Sequence, residues 1–257
     1  MTMLAQEDVG RVRILRLMRP RQRNALSGEL AQALEAALRQ ADRDPGVGAI
    51  LLVGEGKSFC AGGDLVEFGA LSALDPSQLY ADGRLGLGLF GMQEELGTPL
   101  VAAVHGHVLA GGMGLLLLSH VAVAAEGTEF GLPEIELGLF PYTVLPLLAR
   151  AVGARRALEL ALSGRRFGTE EAVSLGIVHD VVAAADVYAA ALERARALSE
   201  RDPLAVRTGL EAYRALAGED MRRLLEHVGL LRNLAFGAPA LRLAVDRFLA
   251  ERGGGSR

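Results

Sequence analysis

Hydrophobic and polar positions alternate with two different periods in the first quarter of the chain. Residues 11–17 alternate polar and apolar side chains, which is typical of a half-buried strand. After Ser27, a suitable N-cap, apolar residues recur at helical spacing until the Asp-Pro-Gly sequence at 44–46. Residues 48–53 then form a continuous apolar run that predicts a fully buried strand. The pattern therefore predicts strands that alternate with helices.

A long stretch without charge follows, because residues 96–125 contain no Asp, Glu, Lys or Arg. Its length is sufficient to span a bilayer, but Pro99 and several glycines interrupt it. Read locally, the stretch consists of a buried strand, a turn, a short buried helix and a second strand, at 100–106, 107–112, 113–119 and 120–125. We therefore expect a buried strand–turn–helix–strand unit and no membrane span.

The second half of the chain is dominated by helical spacing. Residues 70–91 carry Pro76 and several glycines, and they predict a loop that enters a helix ending near Gly97. After Pro141 the pattern predicts almost continuous helix, at 144–152, 154–164, 169–176, 186–199, 204–216, 221–234 and 239–250. We expect an α/β fold with a core in residues 1–195 and a helical region in residues 196–257.

Composition and charge narrow the classes of function. The 257 residues carry a net charge of −4, which gives no reason to expect binding to nucleic acid or to an anionic membrane. Cys60 is the single cysteine, and the start of the chain lacks a basic segment followed by an apolar run. We therefore expect a cytoplasmic protein. His105 and His107 have no third ligand at a recognisable spacing, so we expect no metal site.

Two glycine loops carry the candidate chemistry. Each follows a buried strand and opens a helix, at residues 58–65 and 108–115. The first backbone N–H groups of a helix have no intrahelical partner, and glycine allows a ligand to approach them closely. Two such loops side by side would present two donors to one oxygen, as an oxyanion requires. The alternative is that these glycines only permit tight turns and close packing. Neither loop matches a nucleotide-phosphate motif.

These loops, together with the segments 19–27, 129–141 and 161–182, resemble the enoyl-CoA hydratase/isomerase (crotonase) superfamily. The resemblance extends over residues 11–182. It implies a crotonase-like ββα spiral core followed by a helical C-terminal region used for oligomerisation. It also implies an acyl-CoA thioester substrate and a homotrimer or a dimer of trimers. Coenzyme A would enter as part of the substrate, so no separate cofactor is expected.

The resemblance assigns roles to individual residues. The oxyanion-hole donors correspond to the N–H groups of Gly63 and Gly111, and an acid–base glutamate corresponds to Glu134. The alternative for Glu134 is a first-turn acid that favours the helix dipole. Two loops would line coenzyme A, and the arginines among them would meet its phosphates unless they are simply solvated. The acyl pocket would include an aromatic residue that could equally belong to the core. The substrate-binding residues implied are Arg21, Arg23, Ala25, Ala61, Asp64, Leu65 and Tyr142.

One departure from the family pattern affects the expected reaction. Hydratases of this family carry a second glutamate at the position of Gly114, and His120 replaces an aspartate often found nearby. A single glutamate is sufficient to move a double bond, and the apolar neighbours of Glu134 should raise its pKa towards neutrality. We therefore expect isomerisation to be favoured over hydration, with Glu134 as the single acid–base group. The alternatives are thioester hydrolysis, decarboxylation and an inert acyl-CoA-binding subunit.

Overall fold

The computed structural model describes residues 2–71 and 87–216, and single positions between 229 and 250. The strands are β1 (Leu4–Val9), β2 (Val12–Leu17), β3 (Ala49–Gly54), β4 (Leu100–Val104), β5 (His107–Leu109), β6 (Val121–Ala125), β7 (Glu129–Gly131), β8 (Arg166–Phe167) and β9 (Asp180–Val182). The helices are α1 (Gly28–Arg43), α2 (Leu65–Leu71), α3 (Leu87–Gly91), α4 (Gly111–Leu118), α5 (Leu145–Val152), α6 (Ala154–Ser163), α7 (Thr169–Ser174), α8 (Val187–Ser199) and α9 (Pro203–Leu216). Short 3₁₀ turns occur at Pro20–Gln22, Met92–Glu94 and Pro133–Leu137.

A six-stranded sheet in the order β1-β2-β3-β4-β6-β9 forms the centre of the molecule. The β1–β2 pair is antiparallel and every other pair in this sheet is parallel. Helix α8 packs on one face through Val187, Ala191 and Ala195, while α1 and α4 belong to the larger core on the other face. Because both faces are covered, β3 and β4 are buried at every position, which explains their continuous apolar sequences.

A small second sheet in the order β5-β7-β8 holds two of the candidate site segments together. Strands β5 and β7 are parallel, with Leu109 opposite Gly131. Strand β5 leads directly into α4, and β7 leads into the Pro133–Leu137 turn that contains Glu134. The N–H of Ala110 donates to the carbonyl of Gly131 over 2.9 Å, so the pairing continues up to the first residue before α4. The two segments are therefore fixed side by side by backbone hydrogen bonds.

The predicted α/β architecture is confirmed, as are the strand at 48–53, the helix after Ser27 and the buried helix after the second glycine loop. Three details were wrong. The strand in residues 11–17 is buried on both faces, because Val12 and Ile14 pack in the cluster with α8 while Leu15 and Leu17 belong to the main core. The turn expected at 107–112 contains β5, and the region after Pro141 contains β8 and β9 besides its helices. Strand β1 was not predicted.

The structure describes only part of the predicted C-terminal helices. Helix α9 confirms the helix expected at 204–216. Most of 221–234 and 239–250 lies outside the described residues, although the described positions there are helical. The expected boundary at residue 195 falls inside α8, and the division into two parts stays a prediction. Of the helices that the structure describes, none combines the length and apolarity needed to cross a bilayer. The uncharged stretch at 96–125 is divided among β4, β5, α4 and β6.

Candidate active site

The two glycine loops pack against each other backbone to backbone. The N–H of Cys60 donates to the His107 carbonyl, and the N–H of Leu109 donates to the Cys60 carbonyl, each over 3.1 Å. Gly62 has a φ of +108°, and a side chain there would approach the Cβ of Ala110 to 2.8 Å. A side chain at Gly112 would collide with the Cys60 carbonyl group. Glycine is thus required at both positions, and the loops come closer than side chains would allow.

Gly63 and Gly111 lie next to each other at this contact. A methyl group built on Gly111 would be 3.8 Å from the nitrogen of Gly63. Leu26 pairs with the first loop by donating to Gly62 and accepting from Asp64, so the N–H of Gly63 itself points away from Leu26. Within the described residues, neither the Gly63 N–H nor the Gly111 N–H donates to another group. Two backbone N–H groups without an acceptor among the described residues therefore lie next to each other.

Ala110 fixes the direction of the second donor at a conformational cost. Its φ of 50° and ψ of −119° are unusual for a residue with a Cβ atom. Such a conformation costs about 1–3 kcal/mol and persists only where the surrounding structure enforces it. The hydrogen bond from Ala110 to Gly131 and the close contact with Gly62 provide that enforcement. The strained residue directly precedes Gly111 and so orients its peptide.

Glu134 lies in the 3₁₀ turn after β7, as the sequence predicted. Its Oε2 atom is buried and has no hydrogen-bond partner among the described residues. Burial disfavours the ionised carboxylate and raises the pKa of Glu134 to about 7, and the residue's own N–H offsets this only in part. Glu136, two residues on, is exposed to solvent. The turn therefore directs one carboxyl group inwards and the other outwards.

Glu134, Gly63 and Gly111 line one cavity with a volume of about 150 Å³. The rest of its wall is mostly apolar and includes Tyr142, which the sequence placed at the acyl pocket. The wall of the cavity also includes Leu26, Glu67, Phe68, Phe90, Leu139 and Phe140. A buried carboxyl group, two free N–H donors and an apolar wall are the elements needed to move a proton next to a carbonyl group.

Gly114 does not face open space. A Cβ atom there would overlap Cε1 of Phe90 and would lie 3.0 Å from its Cζ and 3.1 Å from its Cδ1. Phe90 is 5% exposed and belongs to the main core. The aromatic ring therefore takes the space that a side chain at position 114 would need. This wall of the cavity is apolar because of Phe90, a residue that the sequence did not single out.

The residues predicted to hold coenzyme A are arranged outside this cavity. Asp64 accepts the N–H of Val66 over 3.1 Å, which caps α2, and forms an ion pair with Arg19 over 2.7 Å. Arg19 also donates to the carbonyl of Ala25, which ties residues 19–25 to the first glycine loop. Arg21 and Arg23 are exposed. The lining residues do not include Arg21, Arg23, Ala25, Ala61, Asp64 or Leu65, whose part in substrate binding stays a prediction.

The two other candidate residues, Cys60 and His120, lie in environments typical of residues that support the fold. Cys60 is fully buried, and burial raises the pKa of its thiol to about 11. The Nδ1 atom of His120 accepts the N–H of Leu100, and burial lowers the pKa of His120 to about 4. Among the described residues there is no group of three or more His, Cys, Asp or Glu side chains that could hold a metal ion.

The family model of enoyl-CoA hydratase/isomerase matches residues 7–228. The chain belongs to this family. An enoyl-CoA hydratase/isomerase structure from Xanthobacter autotrophicus Py2 is similar over 98% of this chain and 94% of its own, with a TM-score of 0.89 and 28% identity. This likeness, together with the family match, confirms the crotonase fold that the sequence predicted.

Curated relatives of the enoyl-CoA hydratase/isomerase family are more similar in sequence. A probable enoyl-CoA hydratase of Rhizobium meliloti is 40% identical over 183 residues, which cover 70% of this chain and 68% of the relative. A mevalonyl-coenzyme A hydratase of Aspergillus fumigatus is 34% identical over 200 residues, which cover 77% of this chain and 73% of the relative. The chain is therefore an acyl-CoA enzyme of this family.

Sequence reasoning missed three residues of the cavity wall, Glu67, Phe68 and Phe90. Glu67 and Phe68 follow Asp64 by three and four positions in α2, and helical side chains lean towards the N-terminus. That spacing could have placed them at the first glycine loop. Glu67 accepts the N–H of Gly28 at the start of α1, over 2.9 Å and 3.1 Å to its two oxygens. Phe90 gave no comparable signal, because its contact with Gly114 joins two segments without a shared motif.

Proposed function

We propose that this protein shifts the double bond of an enoyl-CoA thioester, with Glu134 as its single acid–base group. The observation that carries the proposal is the free, buried Oε2 of Glu134 in the cavity where the N–H groups of Gly63 and Gly111 also lie. These two N–H groups would bind the thioester oxygen. Both would strengthen their hydrogen bonds as negative charge develops on that oxygen, so they would lower the barrier more than they stabilise the bound substrate.

One carboxyl group is sufficient for both proton transfers of this reaction. Starting from a 3-enoyl-CoA, the Glu134 carboxylate removes a proton from C2, and the electron pair moves onto the thioester oxygen to give a dienolate. The protonated Glu134 then returns the proton to C4, and the double bond moves from C3–C4 to C2–C3. A group that accepts and then releases a proton works best with a pKa close to the working pH. Burial raises the pKa of Glu134 to about 7, which supports this role.

Hydration of a 2-enoyl-CoA is the second candidate, and the names of the two relatives given above favour it. Addition of water requires a group that activates or orients the water molecule. Position 114 carries no side chain, and the ring of Phe90 fills the space beside it. The apolar wall at this place favours isomerisation over hydration.

One assay separates these reactions. The purified protein would be incubated in parallel with 3-hexenoyl-CoA and 2-hexenoyl-CoA, and the products followed by liquid chromatography. We expect 2-hexenoyl-CoA to accumulate from the first substrate and little 3-hydroxyhexanoyl-CoA from the second. Rapid hydration would favour the second candidate. Free coenzyme A would indicate thioester hydrolysis, and an absence of turnover with both substrates would contradict the proposal.

A further inference from the structure

We propose that Phe90 determines which acyl groups this enzyme accepts, by limiting the bulk that the substrate carries on the first few carbons beyond the thioester carbonyl. The inference rests on the proposed function for one point only, the placement of the thioester oxygen at Gly63 and Gly111. It concerns binding specificity and does not depend on which reaction follows.

The ring of Phe90 lies directly against α4. The ring lies against the Cα of Gly114 so closely that no side chain at 114 could coexist with it. Gly111 and Gly114 are three residues apart in α4 and therefore face the same side of the helix, about 5–6 Å from each other. The ring is thus about one helical turn from the Gly111 N–H. An acyl chain bound there by its carbonyl oxygen meets Phe90 within a few carbon atoms.

The surroundings of α3 hold the ring in this position. Leu89, the neighbour of Phe90, is completely buried, and Phe90 belongs to the main core through its own ring. The backbone of α3 also lies close to α1, because a Cβ at Gly88 would approach the carboxylate carbon of Glu35 to 2.9 Å. Glu35 is held by Arg39 over 3.0 Å. Because α3 is packed on both sides, we expect the ring to act as a fixed wall.

The ring also bounds the place where the chemistry would occur. Phe90 and Glu134 line the same cavity, so the carbons that exchange protons with Glu134 lie within reach of the ring. A branch at C3 of the acyl group would have to occupy space near the ring. One methyl group in an apolar pocket changes recognition by about 10–200-fold. Phe90 therefore distinguishes linear acyl groups from groups branched at C3.

The test compares binding of butyryl-CoA and 3-methylbutyryl-CoA by calorimetry. Both thioesters are saturated, so binding is measured without turnover. For Phe90→Ala we expect the affinity for the branched thioester, relative to the linear one, to rise roughly tenfold or more. Phe90→Leu, a smaller change that keeps the core filled, should shift the ratio in the same direction by less. Phe167→Ala is the matched control: Phe167 is buried and stacks on Phe130, but it is absent from the cavity wall.

The outcomes separate this proposal from the proposed reaction. A shifted ratio in the Phe90 variants with an unchanged ratio in Phe167→Ala supports the specificity role, even if the protein performs no isomerisation. An unchanged ratio in folded Phe90→Ala and Phe90→Leu overturns it, even if isomerisation is efficient. An equal shift in Phe167→Ala would overturn it as well, since the effect would then be a general loss of packing. Failure of the unmodified protein to bind either thioester would also count against it.

Discussion

A methyl group on Gly111 would touch Gly63 at an ordinary van der Waals distance, 3.8 Å from its nitrogen, and Cδ2 of Leu26 at 3.6 Å. The backbone at Gly111 thus has room for a side chain, in contrast to its neighbour Gly112, where a Cβ atom would collide with the Cys60 carbonyl. What the proposed mechanism requires from residue 111 is its N–H group. The room at Gly111 allows an alanine and a proline to be compared at this position.

Gly111→Pro should abolish most of the activity, whereas Gly111→Ala should retain it. Gly111 is the first residue of α4, where a proline removes no intrahelical hydrogen bond, and its N–H donates to no described group. A proline at 111 also disfavours the conformation of the preceding Ala110, so a stability measurement has to accompany the rate. Loss of one oxyanion donor typically costs about 10²–10³-fold in kcat. The measurement is kcat with 3-hexenoyl-CoA, with circular dichroism to check folding. A folded Gly111→Pro variant with unchanged kcat would exclude this N–H as a donor.

Glu134→Gln should reduce isomerisation by about 10²–10⁴-fold, because the amide keeps the shape of the side chain but does not accept the proton. Binding of butyryl-CoA should be nearly unchanged, since in the proposed mechanism backbone N–H groups hold the thioester. Glu136→Gln provides the control, because Glu136 lies in the same 3₁₀ turn but faces solvent. Equal losses in both variants, or persistent activity in Glu134→Gln, would assign Glu134 a purely structural role.

The raised pKa of Glu134 should govern the pH dependence of the activity. In the proposed mechanism the Glu134 carboxylate is the base, so kcat/KM should fall below about pH 7, where the folded protein binds the proton. The decline should approach tenfold per pH unit well below that value. Initial rates from about pH 5 to about pH 9 would test this. An apparent pKa near 4.5, the ordinary value for this carboxyl group, would contradict the buried setting.

The same pKa predicts how stability changes with pH. Between 4.5 and about 7 the unfolded chain loses the Glu134 proton while the folded protein retains it. Glu134 therefore lowers the free energy of unfolding as the pH rises through this interval, by about 3 kcal/mol in total, and has no further effect above it. Urea unfolding at about pH 4.5 and about pH 8 would measure this. We expect Glu134→Gln to lack this decline; a parallel decline in both proteins would assign it to other groups.

Gly114→Ala should destabilise the protein by about 1–3 kcal/mol, because its Cβ would overlap the Phe90 ring in a packed core. The double variant with Phe90→Leu should lose less than the sum of the two single changes, because the smaller residue releases the clash. Gly209→Ala is a matched change in the exposed part of α9, where a Cβ meets no atom of the described residues within 4 Å. It should stabilise the protein by about 0.5–1 kcal/mol. Additive effects of Gly114→Ala and Phe90→Leu in urea unfolding would contradict the contact.

We expect the protein to assemble as a trimer or as a dimer of trimers. Leu158 and Leu162 are 47% and 58% exposed and lie four residues apart on α6, so they form an apolar patch on one helix face. The further helices proposed for the interface, at 221–234 and 239–250, lie largely outside the described residues. Light scattering at micromolar concentration should give about three or six times the chain mass of 27.1 kDa. A monomeric mass would contradict the expectation.

The sequence predicted those elements that are buried along their whole length or that bury one regularly spaced face. Strands β3 and β4 are buried on both faces, so their apolar runs are unambiguous, and α1 shows its buried face at helical spacing. Strand β1 lies at the sheet edge and carries exposed polar residues, which hides its period. Strands β5, β7 and β8 have two or three residues each, too few for any periodicity to be visible.

Those parts of the candidate site that lie within one recognisable sequence motif could be predicted. The glycine loops follow from local sequence, whereas Glu134 was assigned by the resemblance to the crotonase superfamily. The apolar neighbours of Glu134 indicated the direction of its pKa change. The ring of Phe90 beside Gly114 was not predictable, since nothing local to either residue indicates the contact. For the same reason, the glutamate that hydratases of this family carry at the position of Gly114 would not fit this protein unless Phe90 is replaced.

The arrangement of the cavity wall has a consequence for folding. The wall is built from segments around Leu26, Gly63, Phe90, Gly111 and Glu134, which are far apart in the chain. Bringing such distant segments together costs loop-closure entropy before any contact compensates for it, so we expect these contacts to form late in folding. A chain that is still being synthesised, or one that has lost cooperativity through a core substitution, would therefore have no partial site. Catalysis should disappear in the same transition as the native sheet, which makes enzyme activity a direct reporter of global unfolding.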